Sequence, residues 1–387
     1  MKIYMDHAAT TAVDKEVVKA MLPYFTDKYG NASSLHQLGQ EAKEDLEESR
    51  DMIAEFINAD PKEVIFTSGG TESDNMAIKE IAFTNRDKGN HIITTNIEHH
   101  AVENSCKFLE KMGFKVTYVK VEKNGIVDAA KIEKAITKET ILVSVMHANN
   151  EIGTVQPISE IGKICKEKGI YFHTDAVQTF GKLPIDVKKM NIDLLSASSH
   201  KLYGPKGVGL IYIRRGIKIQ PMMHGGNHEF CLRSGTENVA GIVGFAKAVE
   251  LAKNSMDKNA KHEAKLRDRL VKGILRKISK SWLNGDNVSR LPGNVNIGFK
   301  YIEGESMLIH LDDKGIMAST GSACSSKDLK PSHVLTAIGL DPVDAHGSLR
   351  LSLGKDNTAE EVDYVIDELA KIVEKLRAIS PLWKGGE

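Results

Sequence analysis

Between residues 64 and 198 the chain alternates short apolar runs with helix-length amphipathic segments, a rhythm that few folds accommodate. The runs fall at 64–67, 91–95, 115–119, 141–145, 170–174 and 193–198, and a seventh follows at 208–213. The intervening stretches, for example 98–112, 128–136 and 158–168, place their apolar residues on a helical period. Uninterrupted apolar runs joined through helices specify an α/β fold with a mainly parallel sheet covered on both faces. Ligands of such sheets sit at the carboxyl ends of the strands, so the residues just past each run are where chemistry is expected.

A chain of 387 residues exceeds what one core usually organises, and two domains are expected. The larger is read as 13–257, the smaller α+β domain as 1–12 with 258–387. Ahead of the alternation, Asp14 is placed to cap a helix over 15–25, and a loop at 29–34 leads into a helix ending near 57 with Leu38, Ala42, Leu46 and Ile53 inward. Past Leu251 the alternation gives way to a charged helical segment over 258–280, read as the bridge between domains. The smaller domain holds 294–299, 304–311 and a last helix over 359–376. Thr358 and Glu361 form a capping box for that helix, and Val362, Val365, Ile366, Leu369, Ile372, Val373 and Leu376 share its apolar face.

Lys+Arg and Asp+Glu are 52 each, which argues against a nucleic-acid binder. No apolar run reaches membrane-spanning length and the first six residues lack a signal-peptide core, so no membrane association and a cytoplasmic location are expected. Cys106, Cys165, Cys231 and Cys324 are scattered without a CxxC pair, so their spacing implies neither a zinc site nor a disulfide framework. Cys106 and Cys165 lie on amphipathic segments and read as buried bystanders. Cys324 lies instead among serine, glycine and lysine in 318–331, the setting of a reactive thiol.

The residues past the apolar runs are polar and specific in type. Thr67-Ser68-Gly69-Gly70-Thr71-Glu72-Ser73 opens a helix with glycines and hydroxyls, presenting free N–H groups to an anion, although such a sequence is also an ordinary turn. It is neither a P-loop nor a dinucleotide fingerprint. In Glu98-His99-His100 the two imidazoles diverge, so one ion does not hold both; one could stack on a planar ring, or fill a core position. Asn149-Asn150 offers amides to a ring substituent or serves a turn. Asp175 ends a buried strand, where it either meets a cation such as a protonated pyridine nitrogen or caps a helix. Finally 196–207 ends a strand in Ser198-Ser199-His200-Lys201 before the turn at Gly204-Pro205. Desolvated there, Lys201 becomes a candidate Schiff-base lysine; exposed, Lys201 and Lys206 are surface charge.

A phosphate cradle, a stacking imidazole, an acid for a ring nitrogen and an imine lysine together fit pyridoxal 5'-phosphate. The chain resembles the cysteine desulfurases of NifS/IscS type, class-V-aminotransferase-like enzymes of fold type I. The likeness runs from Tyr4-Met5-Asp6-His7-Ala8-Ala9-Thr10-Thr11 through Gly30-Asn31, Thr71-Glu72-Ser73-Asp74-Asn75, Asn149-Asn150-Glu151-Ile152-Gly153, His200-Lys201, Arg233-Ser234-Gly235-Thr236-Glu237-Asn238 and Gly321-Ser322-Ala323-Cys324 to His346-Gly347-Ser348-Leu349-Arg350. It implies a fold-type-I transferase with a seven-stranded sheet in the large domain, acting as a homodimer with shared sites.

The resemblance also implies roles. Lys201 matches the imine lysine, Asp175 the partner of the pyridine nitrogen, Gln178 the donor to the phenolic oxygen, His99 the stacked and proton-moving histidine, and Asn150 an amide near the cofactor. Gly70, Thr71, Ser198, Ser199 and His200 match phosphate binders, with Thr236 reaching the phosphate in the neighbouring subunit. Arg350, assisted by Asn31, matches the partner of the L-cysteine carboxylate; a buried structural ion pair is the other reading of Arg350. Cys324 matches the nucleophile that takes sulfur as a persulfide, leaving alanine, for transfer to an acceptor such as an iron-sulfur scaffold or a tRNA-thiolating protein. A selenocysteine lyase or another class-V enzyme would share the cofactor residues. Ala32, Ser199 and Phe230-Cys231 depart from the family pattern, and the tail after Trp383 is short.

Overall fold

A computed structural model describes residues 2–321 and 331–383. Its centre is a seven-stranded sheet in the order Val64–Thr67, Gly209–Ile213, Leu194–Ser198, Tyr171–Asp175, Thr140–Ser144, His91–Thr95, Lys115–Val119. All neighbours are parallel except Gly209–Ile213, which runs antiparallel to both its partners. Residues alternate between two separate cores: Val64, Phe66, Ile93, Val143, Leu195, Leu210 and Tyr212 face one, while Ile65, Ile92, Leu142, Leu194, Ile211 and Ile213 face the other. Strands buried on both faces can be apolar throughout, which is why they read as runs.

A third core belongs to the antiparallel strands Ser281–Leu283, Asn294–Phe299 and Ser348–Ser352 with the helices Gly304–Asp312 and Ala359–Ile379. The N-terminal strand Ile3–Tyr4 pairs in parallel with Ile316–Met317, adding Ile3 and Met5 to that core. The expected caps form: Asp14 accepts from Glu16 N, and Thr358 with Glu361 closes a capping box. The largest difference from expectation is the bridging helix, which runs from Val239 to Lys277 rather than starting near 258. Its first half buries Ile242, Phe245 and Val249 in the large core, and its second half buries Leu266, Leu270 and Ile274 in the small one. The change from apolar to charged composition marks a change of neighbour along one rod about 58 Å long. Among the described residues no helix is long and apolar enough to cross a membrane.

Candidate active site

The sheet delivers its polar exits to one cavity of about 240 Å³. The first exit begins at Gly69, whose φ of +150° is open only to glycine, and the chain then turns straight into the helix at Gly70. Gly70 and Thr71, the first residues of that helix, line the cavity and so place unpaired helix N–H groups at its wall. Ser198 closes the Leu194–Ser198 strand on the same cavity, and His200 follows with its Nδ1 3.0 Å from Thr10 Oγ1. Ser199 points elsewhere: it is fully buried, without a hydrogen bond for its Oγ, and packed against Gly204, where a Cβ would meet that oxygen. Its side chain therefore does not join the phosphate-binding set expected of it.

Lys201 ends the short helical turn after Ser198 and lines the cavity, whereas Lys206 is exposed. Burial, with the positive charges of Lys182 and Arg350, pushes the Lys201 ammonium down to about 8. The surface-charge reading thus holds for Lys206 alone. Lys201 Nζ donates to the carbonyls of Ala8 (2.6 Å) and Ala9 (2.7 Å), which favour the protonated form and hold it beside the N-terminal segment. Gln178 Nε2 donates to the same Ala8 carbonyl at 3.0 Å.

Asp175 closes its strand at the cavity with one oxygen accepting from Val177 N at 2.9 Å; the chain continues as a turn and no helix starts there, so the aspartate does not serve as a helix cap. Burial raises its carboxyl to about 6 against the pull of Val177 N–H and Lys201. A cation at the cavity would keep it ionised. His99 caps the helix His100–Lys111 through Ala101 N (3.2 Å) and faces the cavity; burial first, then Lys201, lowers it to about 4, so it is neutral near pH 7. Asn149 is wholly committed to turn structure, donating to Ile97 O and accepting from Glu151 and Ile152 N, while Asn150 reaches the cavity.

Arg350, 1% exposed, enters from the small-domain sheet. Its guanidinium donates to Asp6 Oδ1 at 2.8 Å and to Asn150 O at 3.2 Å, and its buried Nε has no partner. Two expected residues lie away from the cavity. Asn31 is exposed, its side chain accepting from Ser33 N, and Thr236 is exposed ahead of the long helix. Cys324 lies outside the described residues. One charged cavity residue was not anticipated as such: Asp74, 1% exposed, sits 3.7 Å from His173 Nε2 with that oxygen otherwise unbonded. Burial and Asp175 raise its carboxyl well above the usual range.

These donors suit pyridoxal phosphate: an amine near neutrality for its aldehyde, a buried carboxylate for its ring nitrogen, and hydroxyls at a helix start for its phosphate. Arg350, lining the cavity that also holds the amine, suits an amino-acid carboxylate.

The aminotransferase class-V family model matches residues 3–365. A protein named cysteine desulfurase IscS from Methanosarcina thermophila is 58% identical over 98% of this chain and 94% of its own length; one of the same name from Dictyoglomus turgidum is 54% identical over 99% and 98%. Among solved structures, a NifS-like protein superposes with a TM-score of 0.92 at 42% identity, covering 97% of this chain and all of its own. A structure described as SspA in complex with cysteine gives 0.83 at 39% identity, over 92% and 100%. The chain belongs to the class-V aminotransferase family of fold type I, among the IscS-type cysteine desulfurases, which are pyridoxal-phosphate enzymes.

Proposed function

We propose that this chain is a cysteine desulfurase that takes sulfur from L-cysteine, releases L-alanine and holds the sulfur as a persulfide on Cys324. The observation carrying this is the meeting of Lys201, depressed to about 8, and the buried Arg350 guanidinium in one cavity at the carboxyl ends of the strands. The relatives named cysteine desulfurase support it along the whole chain. Bound there, pyridoxal phosphate supplies an electron sink for the substrate α-carbon. Arg350 holds the substrate carboxylate. Lys201 Nζ would take and return the substrate α-proton, and the Ala8 and Ala9 carbonyls, which accept from that nitrogen, would hold its ammonium form. Asp175 would hold a proton on the ring nitrogen, with the Asp74 carboxyl lining the same cavity, and His99, neutral near pH 7, would face the bound group.

The thiolate of Cys324 attacks the substrate sulfur; the S–S bond forms as the C–S bond breaks, and the carbon takes up a proton to become the methyl group of alanine. We place the phosphate against Gly70, Thr71, Ser198 and His200, and let Thr236 and Asn31 act across a homodimer, since neither reaches the cavity of its own chain. The cofactor domain is taken as 13–257, with 1–12 and 258–387 forming the domain that brings Cys324. A cytoplasmic sulfur acceptor, such as an iron-sulfur scaffold or a tRNA-thiolating protein, completes the cycle. The test is alanine and sulfide production from L-cysteine with a thiol reductant. Equal yields are expected, abolished by Cys324→Ala with cofactor absorbance retained; a variant that keeps turning over would make the chain a different class-V enzyme.

A further inference from the structure

Outside the cavity, His100, Glu103 and His333 bring three donor atoms within 4.8 Å of one another, all partly exposed. His100 and Glu103 lie on one face of the helix after His99, three residues apart, with His100 Nδ1 3.0 Å from Glu103 Oε2. His333 opens the helix His333–Ala337, and its ring lies 5.0 Å from that of His100. Its tautomer follows from its neighbour: Nε2 is 2.9 Å from the carbonyl of Glu98, which can only accept, so Nε2 carries the hydrogen and Nδ1 keeps its lone pair. A backbone carbonyl on the far nitrogen is the usual support of a metal-bound histidine. Lys107 pairs with the other oxygen, Oε1, of Glu103, leaving Oε2 toward the histidines. A tetrahedral ion about 2.0–2.1 Å from each donor separates donors by about 3.4 Å, so closure needs side-chain movements on the order of 1 Å.

We infer that His100, Glu103 and His333 form a site for a divalent transition ion of zinc type, with a fourth position open to water. Two imidazoles and one carboxylate are a zinc-type ligand set. The ion ties the helix that follows His99 to the one that begins nine residues after Cys324 in the sequence. The test is equilibrium dialysis of holoenzyme carrying Cys231→Ser and Cys324→Ser, which removes competing thiols, against Zn²⁺. One zinc per chain is expected, with affinity falling tenfold or more in His333→Ala and in His100→Ala, and with a zinc-dependent rise in melting temperature that both variants lose. His100→Ala leaves the Glu98 contact of His333 intact, so it reads the site even if His333→Ala folds poorly. Zinc retained equally by the histidine variants, or binding only at millimolar concentration, would overturn the assignment.

Discussion

Replacing Arg350 by lysine separates its two readings, substrate clamp and structural ion pair. Lysine keeps the charge near Asp6 and loses the planar fork, so a carboxylate held by two parallel N–H groups is left with one point contact. Arg350 is 1% exposed, so water does not fill the gap left by the lost fork. A hydrogen bond to a charged group is worth about 1.5–3 kcal/mol, a factor of roughly 10–150 in kcat/KM. The loss is expected mainly in KM, from initial rates of alanine release. L-cysteine methyl ester, which lacks the anionic carboxylate, should separate wild type from variant far less than cysteine does. A KM within twofold of wild type, with a lowered melting temperature, would show that Arg350 serves Asp6 and Asn150 instead.

Other consequences concern stability. Glu229 is buried, meets both terminal nitrogens of Arg50 at 2.8 Å and accepts from Phe66 N at 2.7 Å, so Glu229→Ala should cost about 3–5 kcal/mol in urea unfolding. Cys231 is exposed at φ +65°, a backbone conformation that favours glycine, so Cys231→Gly should stabilise by roughly 1 kcal/mol at unchanged turnover. Burial raises Glu263 to about 7 from an ordinary 4.5. Its folded form binds the proton more tightly, so the associated stability is present below pH 4.5 and fades as pH rises through 7. By linkage, Glu263→Gln should match wild type at pH 4 and gain on it as pH rises through 7, less what the buried Lys182 loses with its charge partner, by denaturation across pH.

What could be read from the sequence was what is local. The doubly buried strands carry continuous apolar residues, Asp14 and Thr358 stand where caps form, and the exits Gly70-Thr71, Asp175 and Ser198 to Lys201 follow directly from strand ends. The start of the long helix was hidden because its first half is as apolar as the strands before it. Asp74 was invisible because a carboxylate early in a helix ordinarily faces solvent; only the sheet packed over it makes it buried. Ser199, a hydroxyl between two cavity residues, points away because the turn at 199–201 rotates its neighbours inward. The approach of His333 to His100 is a tertiary fact across more than 230 residues, with no sequence signal.

Lys201, and no other amine, is expected to receive the cofactor. Reducing the pyridoxal-phosphate-loaded protein with borohydride and mapping the peptides by mass spectrometry tests it directly. The added mass is expected on the peptide containing Lys201, and is expected to disappear in Lys201→Ala. The label on Lys182 or Lys206, or a labelled Lys201→Ala protein, would contradict it.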